Sequence, residues 1–537
     1  MRSPDIKDLP SNDCKLPECA AAIVKSEPYE VSKIREALPQ FFAVGAKNLL
    51  LLTFGTSLGF PTILIPELQK NTPVIPVTLD EVTWIGSINL FLVPLGGFIS
   101  GPISQRLGRR RAMMISTLPF IVAWLIFYYS HNATMLFVAQ ALTGLTGGLL
   151  EAPVLTYVAE VTQPHLRGLL SATSTMAVIC GVFSQMLTGS LVDWRTLALI
   201  NISFPIVCLS ALYMVPESPT WLAGKGRLAE AEKALCWLRG WVSPEYVKYE
   251  FESLREEFEK AVRVKATNSA ALESNYPEKP EPVRKSWHAY LQRTFYLPFA
   301  LVTFVFFINA FGGIMVLQVF AVIILEALNT PINKYLATVY VGMGQVIGTV
   351  VCVFTIHFSG KRKLSFVSVF FTGLSLLLLA VYGFLIMYDD IDSTRYTVIP
   401  TILVVSAAFF SHLGLKMLPW ILAGEVFPPD VRSVATGSAG SIGYIFSSIA
   451  NKLFLYMKMS MTLPGTFLFY AAVNFAGVIG LYAMLPETEG RTLKEIEDHF
   501  AGIQKLKHRP AKEDLAYRDK WAATNPQPVS DDFESRL

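Results

Sequence analysis

Residues 364–387 read LSFVSVFFTGLSLLLLAVYGFLIM, a run of 24 residues without one charged side chain. As an α-helix this run extends about 36 Å, because each residue adds about 1.5 Å, and the hydrocarbon core of a bilayer is about 30 Å thick. Inside lipid every backbone hydrogen-bonding group must find a partner within the protein, and a helix provides this within the segment itself. The stretch therefore predicts a membrane-spanning helix.

Eleven further apolar runs lie on either side of this stretch. They cover residues 41–65, 83–104, 112–130, 135–158, 168–190, 196–215, 294–325, 333–357, 398–424, 433–456 and 463–485. A transmembrane β-barrel would instead show alternating segments of about ten residues. We therefore expect an all-α membrane protein with twelve transmembrane helices, arranged as two six-helix halves and joined by a short helical linker.

The composition supports this interpretation and excludes several classes of protein. Of the 537 residues, 52% are hydrophobic and only 16% are charged, against roughly 25% charged residues in soluble proteins. A soluble enzyme, a disordered regulator and a disulfide-stapled secreted module are thereby excluded, and a net charge of +3 does not indicate nucleic acid as a partner. The sequence shows no nucleophile–base arrangement, metal cluster or phosphate-binding loop, so we expect no enzyme activity, no cofactor and no metal.

The placement of Lys and Arg predicts the orientation, because cytoplasmic loops carry an excess of these residues. Of the 45 Lys and Arg residues, 37 fall on one side of the predicted topology, so both termini and the middle loop should be cytoplasmic. The predicted segments are a cytoplasmic N-terminal segment (1–40), a first bundle (41–215), a linker with short helices (216–293), a second bundle (294–485) and a cytoplasmic tail (486–537). Residues 266–285 should form a flexible tether, and Asn132-Ala133-Thr134 is a glycosylation sequon on the opposite side.

Three short polar strings at the ends of the predicted spans of the first half recur in the second half. Gly108-Arg109-Arg110-Arg111 matches Gly360-Lys361-Arg362-Lys363, Glu160-x6-Arg167 matches Glu425-x6-Arg432, and Pro216-Glu217-Ser218 matches Pro486-Glu487-Thr488. A repeated bundle places its substrate site near the midplane between the halves and opens it alternately to each side. We therefore expect a cytoplasmic gate of ion pairs between the halves, which forms when the cavity faces outward and breaks when it opens inward. Its residues are Arg109, Arg110, Glu160, Arg167, Glu217, Glu425, Arg432 and Glu487.

These strings resemble the sugar porter family of the major facilitator superfamily. The resemblance rests on Gly101-x6-Gly108-Arg109-Arg110, Glu160-x6-Arg167, PESPTWL at 216–222, Pro419-Trp420 and PETEGRTLKEIE at 486–497. It covers roughly residues 40–500, and within the family the chain is most similar to insect-type facilitated trehalose transporters. It implies the major facilitator fold and facilitative transport of trehalose or a hexose by alternating access at the plasma membrane. The sugar and the lipid bilayer are the implied partners, and no obligate protein partner is inferred.

The departures from the family pattern fall mostly where the family binds sugar. The seventh-helix motif Gln-Gln-x-x-Gly-Ile-Asn reads NAFGGIM at 309–315, the fifth-helix Gln is Thr175, and the eleventh-helix Asn-Trp pair is Gly443-Tyr444. A sugar site needs amide and hydroxyl groups that replace water, together with aromatic faces for the ring. The candidate side chains of this kind are Thr56, Thr175, Gln185, Asn309, Gln318, Trp420 and Tyr444. Each could instead be a polar contact that packs helices together.

Three ionisable residues, Lys47, Glu151 and Lys416, interrupt the predicted spans. A charge at the bilayer centre costs at least about 2.5–3.5 kcal/mol, so each must face protein or water. Lys47 lies near the end of its helix and should snorkel to the surface. Glu151 and Lys416 are expected to form a structural pair, with contact to the substrate or transfer of a proton as the alternatives, and both are included among the substrate-binding candidates.

The first span bears on energy coupling. Proton-coupled sugar porters carry Phe-Gly-Tyr-Asp there, whereas this chain has Phe54-Gly55-Thr56-Ser57, and serine cannot titrate. Uniport is therefore predicted. Two alternatives stay open, namely transport of a different organic solute, charged solutes included, and proton symport through Glu151.

Overall fold

The structure is a computed structural model. It describes residues 32–70, 74–256, 258–259, 292–328, 333–388, 398–428, 431–491, 493–503 and 506. The first 31 residues, the predicted tether at 266–285 and the tail beyond residue 506 lie outside the described residues. Within the described ranges all regular secondary structure is helical, as the apolar runs predict.

The N-terminal half consists of helices that begin and end close to the predicted apolar runs. They are α1 (Lys33–Gly59), α2 (Pro61–Leu68), α3 (Leu79–Ile85), α4 (Ile88–Leu107), α5 (Arg109–Tyr128), α6 (Ala133–Leu149), α7 (Glu151–Val161), α8 (Pro164–Gly189), α9 (Trp194–Asn201) and α10 (Ser203–Met214). Several spans are two helices end to end. For example, α6 and α7 meet at Leu150, so Glu151 lies at a break inside the fourth span.

The linker contains the short helices α11 (Pro219–Gly224) and α12 (Leu228–Leu238), and residues 248–256 are also helical. The C-terminal half follows with α13 (Arg293–Phe311), α14 (Ile314–Val319), α15 (Ala321–Ala327), α16 (Lys334–Ser359), α17 (Lys361–Met387), α18 (Ile399–Leu413), α19 (Leu418–Glu425), α20 (Arg432–Met484) and α21 (Leu493–Ala501). Helix α20 has 53 residues, with non-helical backbone at Met461 and Thr462, so it is two helices joined at a kink.

Eleven helical stretches in the described part of the chain are long and apolar enough to cross a membrane, with the kinked α20 counted once. The count of twelve spans, the segment boundaries and the linker therefore stay predictions.

We call the end of the bundle that carries the linker the linker face, and the opposite end the loop face. Trp221 of α11 donates a 3.0 Å hydrogen bond to the Gln105 carbonyl group, and Arg35 of α1 donates one of 3.1 Å to the Gly240 carbonyl group. These bonds dock the linker against the N-terminal half.

The apolar core differs between the two faces. At the loop face a single cluster contains residues of both halves, among them Phe60 and Trp124 from the first half and Phe320 and Phe454 from the second. At the linker face the buried apolar residues form separate clusters within the N-terminal half and within the C-terminal half. The two halves are therefore packed together at the loop face and parted at the linker face.

Candidate functional site

The first basic loop is organised by a glycine and a carboxylate. Gly108 separates α4 from α5 with φ +100° and ψ 163°. The Glu217 carboxylate accepts hydrogen bonds from the backbone N–H groups of Arg110 (2.8 Å) and Arg111 (3.4 Å). A negative charge at this position stabilises the start of α5, where backbone N–H groups have no partner within the helix.

The second basic loop repeats this arrangement. Gly360 separates α16 from α17 with φ +82° and ψ 156°. The Glu487 carboxylate accepts hydrogen bonds from the backbone N–H groups of Lys361 (3.0 Å) and Arg362 (3.1 Å). Each Pro-Glu-Ser/Thr string therefore caps the basic loop of its own half.

The ion pairs at the linker face also stay within their own halves. Arg109 donates to Glu160 at 2.9–3.0 Å, and the Ser218 hydroxyl group donates to the same carboxylate. In the other half, Lys361 pairs with Glu425 at 2.6 Å and with Glu489 at 3.0 Å.

The expected gate ion pairs between the halves are not formed in this conformation, in which the halves are parted at the linker face, so the gate stays a prediction. Arg167 is exposed, and Arg432 donates to the Phe427 carbonyl group at 3.1 Å. Among the described residues, no hydrogen bond or ion pair at the linker face joins the two halves. The physical reason is the separation of the halves at this face, which leaves each carboxylate within reach of its own basic loop.

Reversing the charge of Glu425 should remove most transport. Lys361 is buried, so Glu425→Lys places a second ammonium group beside it, and breaking a buried pair costs about 3–5 kcal/mol. We expect uptake to fall at least tenfold and to recover partly in the double variant Lys361→Glu/Glu425→Lys. Lys363→Glu, a reversal at an exposed neighbour, is the matched control; equal losses in the control and in Glu425→Lys would contradict the role of the pair.

At the loop face, hydrogen bonds cross between the halves. Each bond joins a residue before position 90 to one after position 315. The Thr62 hydroxyl group donates to the Gln318 carbonyl group (2.7 Å), and the Tyr335 hydroxyl group donates to the Glu67 carboxylate (2.6 Å). Ser448 donates to the Ser87 carbonyl group (3.0 Å) and Asn451 to the Gly86 carbonyl group (3.1 Å). No motif in the sequence pointed to these contacts, because the partners lie hundreds of residues apart.

Asp80 makes a charged contact between the halves at the same face. Its carboxylate accepts hydrogen bonds from the Tyr456 hydroxyl group (2.7 Å) and the Lys452 ammonium group (3.1 Å). The ammonium group also lies 3.7 Å from the centre of the Trp84 ring. The bonds from Tyr456 and Lys452 lower the pKa of Asp80, so this contact is fully present above the ordinary Asp pKa near 3.9 and is lost only as the pH falls below it.

Asp80→Asn should therefore loosen the loop face at every pH at which sugar uptake is measured. The measurement is the rate at which a cysteine placed in the central cavity, beneath these loop-face bonds, reacts with an impermeant thiol reagent added from the loop-face side. We expect this rate to rise about two- to fivefold, which corresponds to the free energy of an exposed ion pair. Asp193→Asn is the matched control, because Asp193 also lies at the loop face but bonds only to Arg195 and Thr196 of its own helix. An equal rate of cysteine labelling in Asp80→Asn and Asp193→Asn would show that Asp80 does not help to hold the loop face closed.

At the centre of the bundle, Glu151 and Lys416 do not pair. The carboxyl group of Glu151 interacts with the hydroxyl group of Tyr444, which belongs to the other half. Lys416 lies in the turn between α18 and α19, with its ammonium group 3.4 Å from the Met315 sulfur. The expected ion pair is thus replaced by a carboxyl–hydroxyl contact, because the half-buried Tyr444 packs against the N-terminal half.

An aromatic group from the C-terminal half lies next to this contact. Trp420 is edge-on to Phe306, with ring centres 5.2 Å apart, and its ring lies 5.7 Å from that of Tyr444. Trp420 remains 37% exposed. Asn309, which is almost buried, donates at 3.2 Å to the carbonyl group of Leu415, the residue before Lys416. The structure therefore brings Glu151, Tyr444 and Trp420 together and places Asn309 beside Lys416.

Other predicted ligands use their polar groups inside the bundle. Thr56 is buried and donates to the Thr53 carbonyl group at 2.7 Å. Gln185 is buried and exchanges two hydrogen bonds with Asn201, of 2.8 and 2.9 Å. Gln318 is buried and accepts from Thr62 through its backbone, whereas Thr175 is half-buried. Helix packing therefore accounts for Thr56 and Gln185.

Two further predicted positions are placed as follows. Lys47 is fully buried and donates to Ser174 at 2.5 Å, so the expectation that it snorkels to the surface is wrong. The hydroxyl group of Ser174, on the neighbouring α8, accepts the hydrogen bond that the Lys47 ammonium group would otherwise make with water at the membrane surface. Asn132 is exposed and accepts a 2.9 Å hydrogen bond from the Met135 N–H group at the start of α6.

Comparison with known proteins gives concordant matches. A family model for "Sugar (and other) transporter" matches residues 60–500. The chain is 27% identical over 465 residues to the facilitated trehalose transporter Tret1 of Apis mellifera ligustica, covering 86% of this chain and 88% of the relative. It is 25% identical over 459 residues to Tret1 of Bombyx mori, covering 85% and 86%.

Solved structures of the xylose transporter XylE from E. coli have the same fold. The partially occluded inward-open conformation superposes with a TM-score of 0.66 at 17% identity, covering 84% of this chain and 99% of that one. The inward-open conformation gives 0.66 at 19% identity, covering 86% and 99%. At this identity the likeness shows the major facilitator fold and nothing about the cargo.

Proposed function

Because the chain belongs to the sugar transporter family and has the major facilitator fold, we propose that its cargo is trehalose or a hexose. It is a facilitative sugar transporter of a membrane, not an enzyme. We further propose that it works in the plasma membrane, with the linker face and both termini in the cytoplasm, as the distribution of Lys and Arg indicates.

The observation that carries the transport mechanism is the contrast between the two faces. Polar bonds and a shared apolar cluster join the halves at the loop face, whereas the linker face has separate clusters. Alternating access requires that such contacts break at one face while others form at the other. This conformation is the one in which the site between the halves faces the linker side.

The aromatic group supports a sugar as the cargo. Trp420 presents an exposed ring beside the Tyr444 hydroxyl group and the Glu151 carboxyl group. A ring face packs on the apolar side of a pyranose, while the hydroxyl and carboxyl groups replace water around its oxygens. The similarity of the chain to two facilitated trehalose transporters supports trehalose as the sugar.

A second candidate cargo is an anionic organic solute such as a sugar acid. Lys416 supports it, because among the described residues the hydrogen-bond partner of its ammonium group is the Met315 sulfur and no carboxylate lies within ion-pair distance. An unpaired cation in a span is costly unless water or a ligand faces it.

Uptake by proteoliposomes containing the purified full-length protein separates these proposals. Labelled trehalose, glucose and gluconate are offered with and without a proton gradient. We expect saturable trehalose or glucose uptake that is insensitive to the gradient and causes no alkalinisation of the medium. Gluconate uptake that disappears in Lys416→Gln, with no sugar uptake, would overturn the sugar cargo, and gradient-driven accumulation abolished in Glu151→Gln would overturn uniport.

A further inference from the structure

A cavity of about 300 Å³ lies at the linker face of the N-terminal half, away from the transport site. It is partly open, and its walls are the start of α5 and the linker helices α11 and α12. Its charged and aromatic lining residues are Arg110, Arg111, Glu217, Trp221, Arg227, Glu230, Lys233 and Trp237. Its volume is at the lower end of the range for small-molecule sites, about 300–1,000 Å³.

The charges around this cavity do not balance. Arg227 and Glu230 neutralise each other through two hydrogen bonds of 2.6 and 2.8 Å. The Glu217 carboxylate is occupied by backbone N–H groups, including that of Ser218. Four cationic side chains therefore face two carboxylates, both of which are already engaged.

Three cationic side chains remain without an acceptor among the described residues. Arg111 and Lys233 are exposed at the rim. Arg110 lies deeper, and its Nε atom is buried without a hydrogen-bond partner. Burying a guanidinium N–H group without an acceptor is costly, and an anion in the cavity would supply that acceptor.

The second half of the molecule provides an internal comparison. Arg362 occupies the position that corresponds to Arg110, and it donates at 2.9 Å to the Tyr482 carbonyl group while lying 5.5 Å from the Tyr482 ring centre. Arg110 lies at a similar distance, 5.9 Å, from the ring centre of Tyr213, but its side chain donates to no carbonyl group among the described residues. Both arginines have a buried Nε atom without a hydrogen-bond partner among the described residues, but Arg362 also donates to a carbonyl group, whereas Arg110 lines the cavity.

We propose that this cavity binds a phosphorylated ligand through Arg110, Arg111 and Lys233. Guanidinium groups match a phosphate with two parallel hydrogen bonds, and an ammonium group adds a point charge. Trp221 and Trp237 supply apolar wall for the group that carries the phosphate. Tyr213 and Met214, at the end of the adjacent span, are 73% and 65% exposed, so a lipid headgroup reaches the cavity as readily as a soluble phosphate compound.

Binding to the purified full-length protein in detergent tests the site and separates its two sources of phosphate. The probes are glycerol 3-phosphate, dioctanoyl phosphatidylinositol 4-phosphate and, as a control without a phosphate monoester, dioctanoyl phosphatidylcholine. We expect at least one phosphate monoester to bind and the control lipid not to bind. Binding of glycerol 3-phosphate would identify a soluble ligand, and binding of the phosphoinositide alone would identify a lipid headgroup.

The variants Arg111→Gln and Lys233→Gln should each weaken binding about tenfold, because each removes a charge-assisted hydrogen bond. Both side chains are exposed, so their replacement leaves the fold intact, as a size-exclusion profile would verify. Lys248→Gln is the matched control, since Lys248 is an exposed cation near the linker helices that does not line the cavity. The site is overturned if no phosphorylated probe binds the unmodified protein, or if Arg111→Gln and Lys233→Gln bind as tightly as Lys248→Gln.

Discussion

Gly108→Ala is expected to abolish uptake and to leave little folded protein. The backbone at Gly108 has φ +100° and ψ 163°, a region that is essentially restricted to glycine and costs other residues about 1–3 kcal/mol. A Cβ atom there would also lie 2.4 Å from a Glu217 carboxylate oxygen. The carboxylate would have to move away from the backbone N–H groups of Arg110 and Arg111. Bonds to a charged acceptor contribute about 1.5–3 kcal/mol each, so the combined loss is large against a typical stability of about 5–15 kcal/mol.

Size-exclusion profiles of the detergent-solubilised protein and sugar uptake measure this effect. Gly101→Ala is the matched control, since Gly101 lies in α4, which ends just before Gly108, and no atom lies within 4 Å of its added Cβ. Gly360→Ala should reproduce the defect in the second half, where the added Cβ would lie 2.6 Å from a Glu487 oxygen. A normal profile and normal uptake for Gly108→Ala would show that Glu217 does not hold this loop.

Glu151→Leu and Tyr444→Phe are each expected to lower uptake about tenfold without loss of folded protein. Their carboxyl–hydroxyl contact joins the two halves at the centre of the bundle, and loss of a polar contact of about 1.4 kcal/mol corresponds to a tenfold change. Because both substitutions remove the same contact, the double variant should be no slower than the slower single variant.

Lys416→Met should behave independently of Glu151. Its ammonium group contacts Met315, so the losses caused by Glu151→Leu and Lys416→Met should multiply in the double variant. Initial uptake rates, corrected for the amount of protein, are compared between the single and double variants of each pair, Glu151 with Tyr444 and Glu151 with Lys416. Multiplying losses for Glu151 with Tyr444, together with a recovered double variant of Glu151 with Lys416, would show that Lys416 is the partner of Glu151 during transport.

The helical architecture could be predicted from the sequence because lipid imposes its requirement on each segment separately. A run such as 364–387 must form its own hydrogen bonds, and the structure has α17 over Lys361–Met387. The family could be predicted for a related reason, since the repeated glycine, basic and Pro-Glu strings mark local helix starts. Gly108 with Glu217 and Gly360 with Glu487 are equivalent in the structure.

The partners of the charged residues could not be predicted in the same way. A matched repeat shows that both halves contain the same contact, but it does not show whether a carboxylate finds its cation in its own half or in the other. Glu425 therefore pairs with Lys361 rather than across the gate. Asp80 and Lys452 are 372 residues apart, and only the packing of the two halves brings them together.

The Asp80 contact and its neighbours at the loop face have a kinetic consequence for a passive carrier. In the conformation that the structure shows, the empty carrier must break these contacts before it can return to the opposite orientation, so they raise the barrier to that step. Each cycle that carries sugar to the linker side then depends on the return of the unloaded carrier, and we expect that step to set the turnover. Sugar already present on the linker side would let the carrier return loaded, so exchange should run faster than net entry.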